Sequence, residues 1–363
     1  MMLTAAAIPR TLDSSRRWQL RTLDQTLLPF QRRELALDGA AACAEAIRTM
    51  QVRGAPLIGA VAAFGLAFAL RERGGADAAL ERGEAALLAT RPTAVNLRWA
   101  VQRVAAAVAG LPAAARADAA WDEAQRIADE DVAINAAIGE HGARLLRDKA
   151  AGKPLQLLTH CNAGRLATVA HGTALAPVYA LHRSGVAVHV WVDETRPRNQ
   201  GAALTAWELA QAGVPCTVIA DNAGGLLMRE RRVDAVIVGC DRVARNGDVA
   251  NKIGTYLKAL AAADNAVPFY VAMPSPTFDA SLPSGDAIPI ERRDARELTH
   301  ARGRDDAGRC IEVQLTPDAI DADNPAFDVT PARLVTALIT EHGVLDAGDD
   351  ALRRLPARAG AEQ

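Results

Sequence analysis

Cys161 stands in the run His160-Cys161-Asn162-Ala163-Gly164, and Asp241 follows the apolar run Val236-Ile237-Val238-Gly239-Cys240. A thiol at a strand-to-helix turn meets backbone N–H groups that favour its thiolate, which makes Cys161 a candidate base. A small buried side chain, the common state of a free cysteine, is the competing reading. A carboxyl at the end of an apolar strand is desolvated, so its pKa rises and it can act as an acid near neutrality. A helix cap or an ion pair with Arg242 is the alternative for Asp241. Two other groups suit an anion. Asn251-Lys252-Ile253-Gly254-Thr255 reads as a helix opening, where free N–H groups and the Lys252 ammonium would seat a phosphate. Arg53-Gly54-Ala55-Pro56 opens another helix; Gly54 would let backbone approach a ligand that Arg53 clamps. Capping alone would account for either.

These clusters need elements to position them. Short β-rich runs cover 155–159, 187–192, 216–220, 235–238 and 269–272, and the first four each end in a polar or Gly-rich cluster. Helices fit at 166–183, 202–212, 251–263 and 331–341, the last with Thr330 as N-cap and Pro331 at its first position. Such alternation implies a Rossmann-like, doubly wound parallel sheet. Ligands bind such sheets beyond the carboxyl ends of the strands, so the clusters share one active edge. Residues before about 145 read as helix, over 39–50, 57–73, 78–89, 94–109 and 115–145, with Asp38 as first N-cap and a short hairpin from Trp18. The fold class is α/β: a mainly helical N-terminal domain over 1–148, then a catalytic sheet domain over 149–363. The charged stretch 286–309 reads as a solvated loop, or else a lid or subunit contact.

Composition excludes several classes. Of 363 residues, 50% are apolar and 23% charged, which rules out a disordered or fibrous chain. Basic and acidic residues number 41 and 43, leaving no cationic excess to drive nucleic-acid or membrane binding. Residues 54–70 carry no charge but hold Pro56 and many Ala and Gly, so a buried core helix is expected there rather than a membrane span. Five scattered cysteines without a C-x-x-C pair suggest reduced thiols in the cytoplasm, and the first residues lack a signal-peptide pattern. Dinucleotide, P-loop and H-E-x-x-H fingerprints are missing. With no metal-ligand set visible either, neither cofactor nor metal is expected.

The chain resembles the methylthioribose-1-phosphate isomerase family, which also includes regulatory subunits of eukaryotic initiation factor 2B and ribose-1,5-bisphosphate isomerases. The likeness runs from about Leu20 to Leu345. It rests on ordered blocks such as Leu23-Asp-Gln-Thr-Leu-Leu-Pro, Val52-Arg-Gly-Ala-Pro, Arg91-Pro-Thr-Ala-Val-Asn-Leu, Thr159-His-Cys-Asn-Ala-Gly, Gly239-Cys-Asp-Arg-Val and Asn251-Lys-Ile-Gly-Thr. Cys240 and Ala203 depart from the family pattern, and the stretch around 302–323 is longer than usual. The resemblance implies conversion of 5-methylthioribose 1-phosphate to its ketose, 5-methylthioribulose 1-phosphate, in methionine salvage. Phosphate blocks the anomeric oxygen, so ring opening needs an acid at the ring oxygen, for which Asp241 is the candidate. Hydrogen must then move from C2 to C1, with Cys161 as candidate base and a hydride shift as the rival. Arg53, Gly54, Ala55, Asn251 and Lys252 would hold the phosphate, and Arg91 and Gln200 complete recognition by carry-over from matching positions. A homodimer is implied as well. The alternatives are a 5-deoxyribose-1-phosphate or ribose-1,5-bisphosphate isomerase and a non-catalytic regulatory subunit.

Overall fold

The structure, a computed structural model, describes residues 9–150 and 152–355. It opens with an antiparallel sheet of β1 (Asp13–Arg16), β2 (Gln19–Leu23) and β3 (Glu34–Ala36). The expected hairpin is thus a three-stranded sheet whose third strand returns only at Glu34. The Asp24 carboxylate accepts the Thr26 N–H at 3.0 Å and its hydroxyl at 2.6 Å, and this local turn breaks the strand.

Five helices follow: α1 (Ala40–Arg48), α2 (Ala55–Glu72), α3 (Asp77–Leu88), α4 (Val95–Val108) and α5 (Ala113–Arg147). Gly39, not Asp38, is the first N-cap. Asp38 accepts a hydrogen bond from Arg21 at 2.9 Å, while the Ala40 N–H donates to Glu72 at 3.0 Å. Helix α2 is apolar on all sides and is therefore enclosed on all sides. Its Leu57, Phe64, Leu66 and Leu70 are fully buried, each contributing about 1.5–3 kcal/mol. It is long and apolar enough to cross a membrane, yet 78% of it is buried at the centre of the helical bundle. Helix α5 is about 50 Å long at 1.5 Å per residue. Its Trp121, Ala124 and Ile127 pack in the bundle, and its Ile138, Ala143 and Leu146 pack against the sheet.

After α5 the pattern changes to β4 (Leu155–Thr159), α6 (Leu175–Arg183), β5 (Val188–Asp193), α7 (Ala206–Gln211), β6 (Cys216–Ile219), α8 (Gly224–Arg229) and β7 (Ala235–Val238). Next come β8 (Arg242–Ala244), β9 (Val249–Lys252), α9 (Thr255–Asp264), β10 (Phe269–Ala272), β11 (Phe278–Asp279) and α10 (Arg296–Thr299). The strands β12 (His300–Arg304), β13 (Cys310–Gln314), β14 (Phe327–Thr330), β15 (Ala337–Thr340) and β16 (Gly343–Leu345) follow. The main sheet has the order β16-β15-β10-β7-β4-β5-β6 and is parallel except for β16. The chain enters at β4, winds outward to β6, and returns on the other side through β7, β10 and β15. Strand β4 is therefore the topological switch point. Helices α5, α6 and α7 cover one face, and α8 and α9 the other.

Three helix expectations need correction. Residues 331–341 form no helix: a 3-10 turn at Ala332–Leu334 leads into β15, a buried β-branched strand paired with β10. Thr330 ends β14 instead of capping a helix. The helix expected over 166–183 begins only at Leu175, because side chains claim the backbone before it. The Thr168 hydroxyl accepts the Gly172 N–H at 3.0 Å, and Asp131 on α5 accepts the Val169 N–H at 2.7 Å. The third expected helix starts at Thr255, not at Asn251. The charged stretch 286–309 contains α10 and β12, and β12 pairs with β13 in a separate hairpin.

Burial pushes the Asp131 carboxyl up to about 7, against the hydrogen bonds from Val169 and Asn135. A raised folded-state pKa gives stability that is present below the unfolded value near 4 and lost as pH rises through about 7. The Asp131→Asn variant does not titrate, so its melting temperature relative to the native chain should be more favourable at pH 8 than at pH 5. Thermal unfolding at both pH values checks this; an equal difference at both contradicts it.

Candidate functional site

At the carboxyl end of β4 the backbone turns sharply, and Cys161 adopts a left-handed conformation with φ of 67°. Such a conformation costs a non-glycine residue about 1–2 kcal/mol. Three contacts hold it there. The Cys161 N–H donates to the Thr195 hydroxyl at 2.8 Å, the Thr205 hydroxyl donates to the Cys161 carbonyl at 2.7 Å, and the thiol donates to the Gln200 side-chain Oε1 at 3.5 Å. Thr195 and Gln200 follow β5, and Thr205 ends a π-helical turn, Gly201–Thr205, that begins beside Gln200. Two adjacent strand ends thus fix the thiol.

Arg53 approaches from the helical part. Its guanidinium donates to the Asn162 carbonyl at 2.6 Å and to the Asn162 side chain. Gly54 caps α2 with φ of 94°, and a Cβ there would lie 2.5 Å from the Ala167 backbone. Only glycine permits this approach, which brings the first turn of α2 to the end of β4. Asn251 and Lys252 lie on β9, a correction to the expected helix opening. The second cation is therefore delivered by the strand pairing of β9 with β8 and β14. Lys252 is buried; its ammonium donates to the Ala326 carbonyl at 2.9 Å and sits 4.6 Å from the centre of the Phe327 ring. Neither Arg53 nor Lys252 pairs with a carboxylate among the described residues. Arg91 does, at 2.8 Å from Glu291, and it also meets the Met50 sulfur at 3.2 Å.

Asp241 leaves the end of β7. The possible pair with Arg242 does not form: Arg242 turns to the Thr93 carbonyl at 2.6 Å and to Asp279 at 3.6 Å. No hydrogen bond or ion pair ties the Asp241 carboxylate to another described residue. Burial holds its carboxyl above the usual carboxylate range, while Lys252, Arg91 and Arg53 pull it back. Burial also raises the Cys161 thiol, against the same pull from Lys252 and Arg53. Conversely, burial lowers the Lys252 ammonium, and Cys161 and Asp241 draw it back up. The chamber thus raises both the Asp241 carboxyl and the Cys161 thiol, and it holds cations that lack a fixed anion.

Beneath Cys161, the His160 ring nitrogens lie 2.8 Å from the Asp193 carboxylate and 2.7 Å from the Ile253 carbonyl. Gly254, with φ of 101°, makes room: a Cβ there would touch the ring at 3.0 Å. His160, Asp193 and Asp221 bring potential ligand atoms within 4.8 Å of one another. Lys258 already lies 3.1 Å from Asp193, and Asp221 accepts the Thr195 and Arg196 N–H groups at 2.7 Å each. An ammonium and backbone donors thus supply the counter-charge that a metal ion would otherwise bring.

A chamber of about 70 Å³ is lined by Arg53, Gly54, Ala55, Arg91, Cys161, Gln200, Asp241, Asn251 and Lys252, the nine residues singled out from the sequence. A cavity of about 550 Å³ adjoins it, sharing Met50, Arg53 and Gln200. A pocket of about 50 Å³ lies on the other side, sharing Gly54, Ala55, Arg91, Asp241 and Phe327. Sequence reasoning missed Asn162, which anchors Arg53, and Glu291, which holds Arg91; Asn162 lies beside Cys161 in the run 160–164 and could have been flagged as a counter-group, whereas nothing local marks Glu291. It also missed Met50, held at φ of 63° between two cavities, for which no local signal exists.

Residues 51–347 match the model of the initiation factor 2 subunit family. A methylthioribose-1-phosphate isomerase of Methylobacterium nodulans is 61% identical over 335 residues, which is 92% of each chain. The crystal structure of 5-methylthioribose 1-phosphate isomerase from Pyrococcus horikoshii is similar with a TM-score of 0.82 at 39% identity, over 97% of this chain and 96% of that one. A structure described as the delta subunit of translation initiation factor eIF-2B from A. fulgidus is similar at 40% identity with a TM-score of 0.76, over 93% and 96% of the two chains. The chain belongs to the initiation factor 2 subunit family.

Proposed function

We propose that this chain is an enzyme that isomerises 5-methylthioribose 1-phosphate to 5-methylthioribulose 1-phosphate, a step of methionine salvage. The observation that carries this reading is one chamber holding a desolvated, unpaired carboxyl and a thiol beside two buried cations without carboxylate partners. A phosphate dianion supplies the missing counter-charge, and the carboxyl supplies the acid that a blocked anomeric centre needs. The identity of 61% to an enzyme named for this reaction supports the same reading.

The steps follow from the chemistry of the substrate. Asp241 donates its proton to the ring oxygen, the bond from C1 to that oxygen breaks, and the oxygen becomes the C4 hydroxyl. Positive charge develops at C1, next to the phosphate ester oxygen. In one route Cys161 removes the C2 proton, giving an enol phosphate, and then returns a proton to C1. In the other route the C2 hydrogen moves to C1 with its electron pair, and the thiol stays intact. Both end with a ketone at C2 as the 2-hydroxyl proton returns to Asp241. The upward push on the Cys161 thiol favours the hydride route, and phosphate binding strengthens that push by neutralising Lys252 and Arg53. Arg53, Lys252, Asn251 and the first turn of α2 hold the phosphate; Arg91 and Gln200 complete the site.

The free cysteines support a cytoplasmic location. We also read the chain as a homodimer paired through the sheet domain, where Val218 on the edge strand β6, Leu226 on α8 and Leu257 and Leu260 on α9 are exposed. Light scattering should give twice the chain mass, and a monomer at micromolar concentration contradicts the pairing.

Conversion of 5-methylthioribose 1-phosphate without added nucleotide is the primary test, followed by NMR in D2O. Asp241→Asn should lower kcat about 10²–10⁴-fold while substrate still binds, as expected for loss of a general acid. A near-normal kcat removes the acid role. Deuterium at C1 of the product identifies the enol route, and then Cys161→Ser should lose most activity. Conversion without deuterium, and with much activity left in that variant, identifies the hydride route.

A further inference from the structure

The reactive chamber, at about 70 Å³, is too small for a whole sugar phosphate. Its polarity fixes which end of the substrate it takes. Arg53 and Lys252 have no carboxylate partner, so the phosphate belongs there. Of the two spaces adjoining the chamber, the one of about 50 Å³ is the smaller, and the cavity of about 550 Å³ beyond the neck formed by Met50, Arg53 and Gln200 has room for the far end of the sugar.

That cavity differs in two respects. Beyond Arg53 at the neck, two of its cations already hold carboxylates: Arg198 pairs with Glu297 at 2.5 Å and Arg296 pairs with Glu312, while Arg302 donates to the Thr26 carbonyl. A second phosphate would find Arg198 and Arg296 already neutralised and would face the carboxylates of Glu297 and Glu312. Part of its wall is also apolar. Leu28 follows β2, and Leu204 lies on the π-helical turn after Gln200. Both are nearly buried and pack with Leu166 in a small cluster of their own. The space is much larger than a methylthio group needs.

Resting on the isomerase reading above, we propose that this outer cavity is the subsite for the 5-substituent, that Leu28 and Leu204 select a neutral apolar group, and that the enzyme accepts 5-alkylthio groups longer than methyl. The substrate class is thus 5-alkylthioribose 1-phosphates, to the exclusion of the 1,5-bisphosphate. Discrimination comes from two sources. Each buried methylene gains up to about fourfold in binding. A phosphate at the same place loses hydration beside two carboxylates, Glu297 and Glu312, that already hold Arg198 and Arg296.

The test is kcat/KM of the native enzyme for the 1-phosphates of 5-methylthio-, 5-ethylthio- and 5-butylthioribose, and for ribose 1,5-bisphosphate. The butylthio compound should be used within about tenfold of the methylthio compound or better, and the bisphosphate at least about tenfold worse than either. A larger loss with butylthio, or a smaller gap to the bisphosphate, overturns the proposal. Leu204→Lys should narrow the gap between methylthio compound and bisphosphate by about tenfold, mainly through KM. An unchanged ratio in a folded variant overturns the role of Leu204, and the native series decides if that variant does not fold. Failure on the butylthio compound alone leaves the isomerase reading intact, whereas failure on the methylthio compound removes both.

Discussion

Two buried cations, Arg53 and Lys252, face one chamber with only neutral oxygens as partners. Burying an unpaired charge is expensive, so such an arrangement persists where the surrounding structure forces it and a ligand offsets it. Here the forcing is visible. Arg53 is locked to Asn162 by two hydrogen bonds, and Gly54 lets the start of α2 press onto Ala167. Lys252 is set on β9, between β8 and β14. One cation comes from each part of the chain, so the site exists only where the helical bundle meets the sheet. Helix α5, shared by both cores, holds that junction together.

In the proposed reaction the same cations govern the reacting groups. They restrain the rise of the Asp241 and Cys161 pKa values that burial causes. In that reaction a bound phosphate would cancel much of that restraint, so substrate binding itself would make Asp241 a more persistent acid. Binding and acid catalysis are coupled through Coulomb interactions in a desolvated space. His160, clamped between Asp193 and the Ile253 carbonyl, ties the residue before Cys161 to the residue after Lys252. The thiol and the ammonium therefore keep their mutual position through one imidazole.

The sequence made most of the parallel sheet and its active edge legible because β4, β5, β6 and β7 each end in a distinct polar or Gly-rich cluster. The five long helices were equally clear, since Ala-rich amphipathic and apolar runs leave little alternative. What could not be read depends on side-chain bonds or partner strands. Residues 166–173 have helical composition, but Thr168 and Asp131 claim their backbone. Residues 337–340 read as helix until β10 is there to pair with them. Asn251 and Lys252 were placed in the site for the wrong local reason, because a strand delivers them where a helix was expected. Met50 and Glu291 act through neighbours distant in sequence, and no local pattern points to such roles.

The most direct measurement is a crystal structure of the Asp241→Asn variant with 5-methylthioribose 1-phosphate. The expected result places phosphate oxygens at hydrogen-bond distance, about 3 Å, from Lys252 Nζ, Arg53 and the first N–H groups of α2, with the methylthio group beyond the neck. A phosphate bound instead by Arg198, Arg296 or Arg302 in the outer cavity would contradict the view that two unpaired cations define this site.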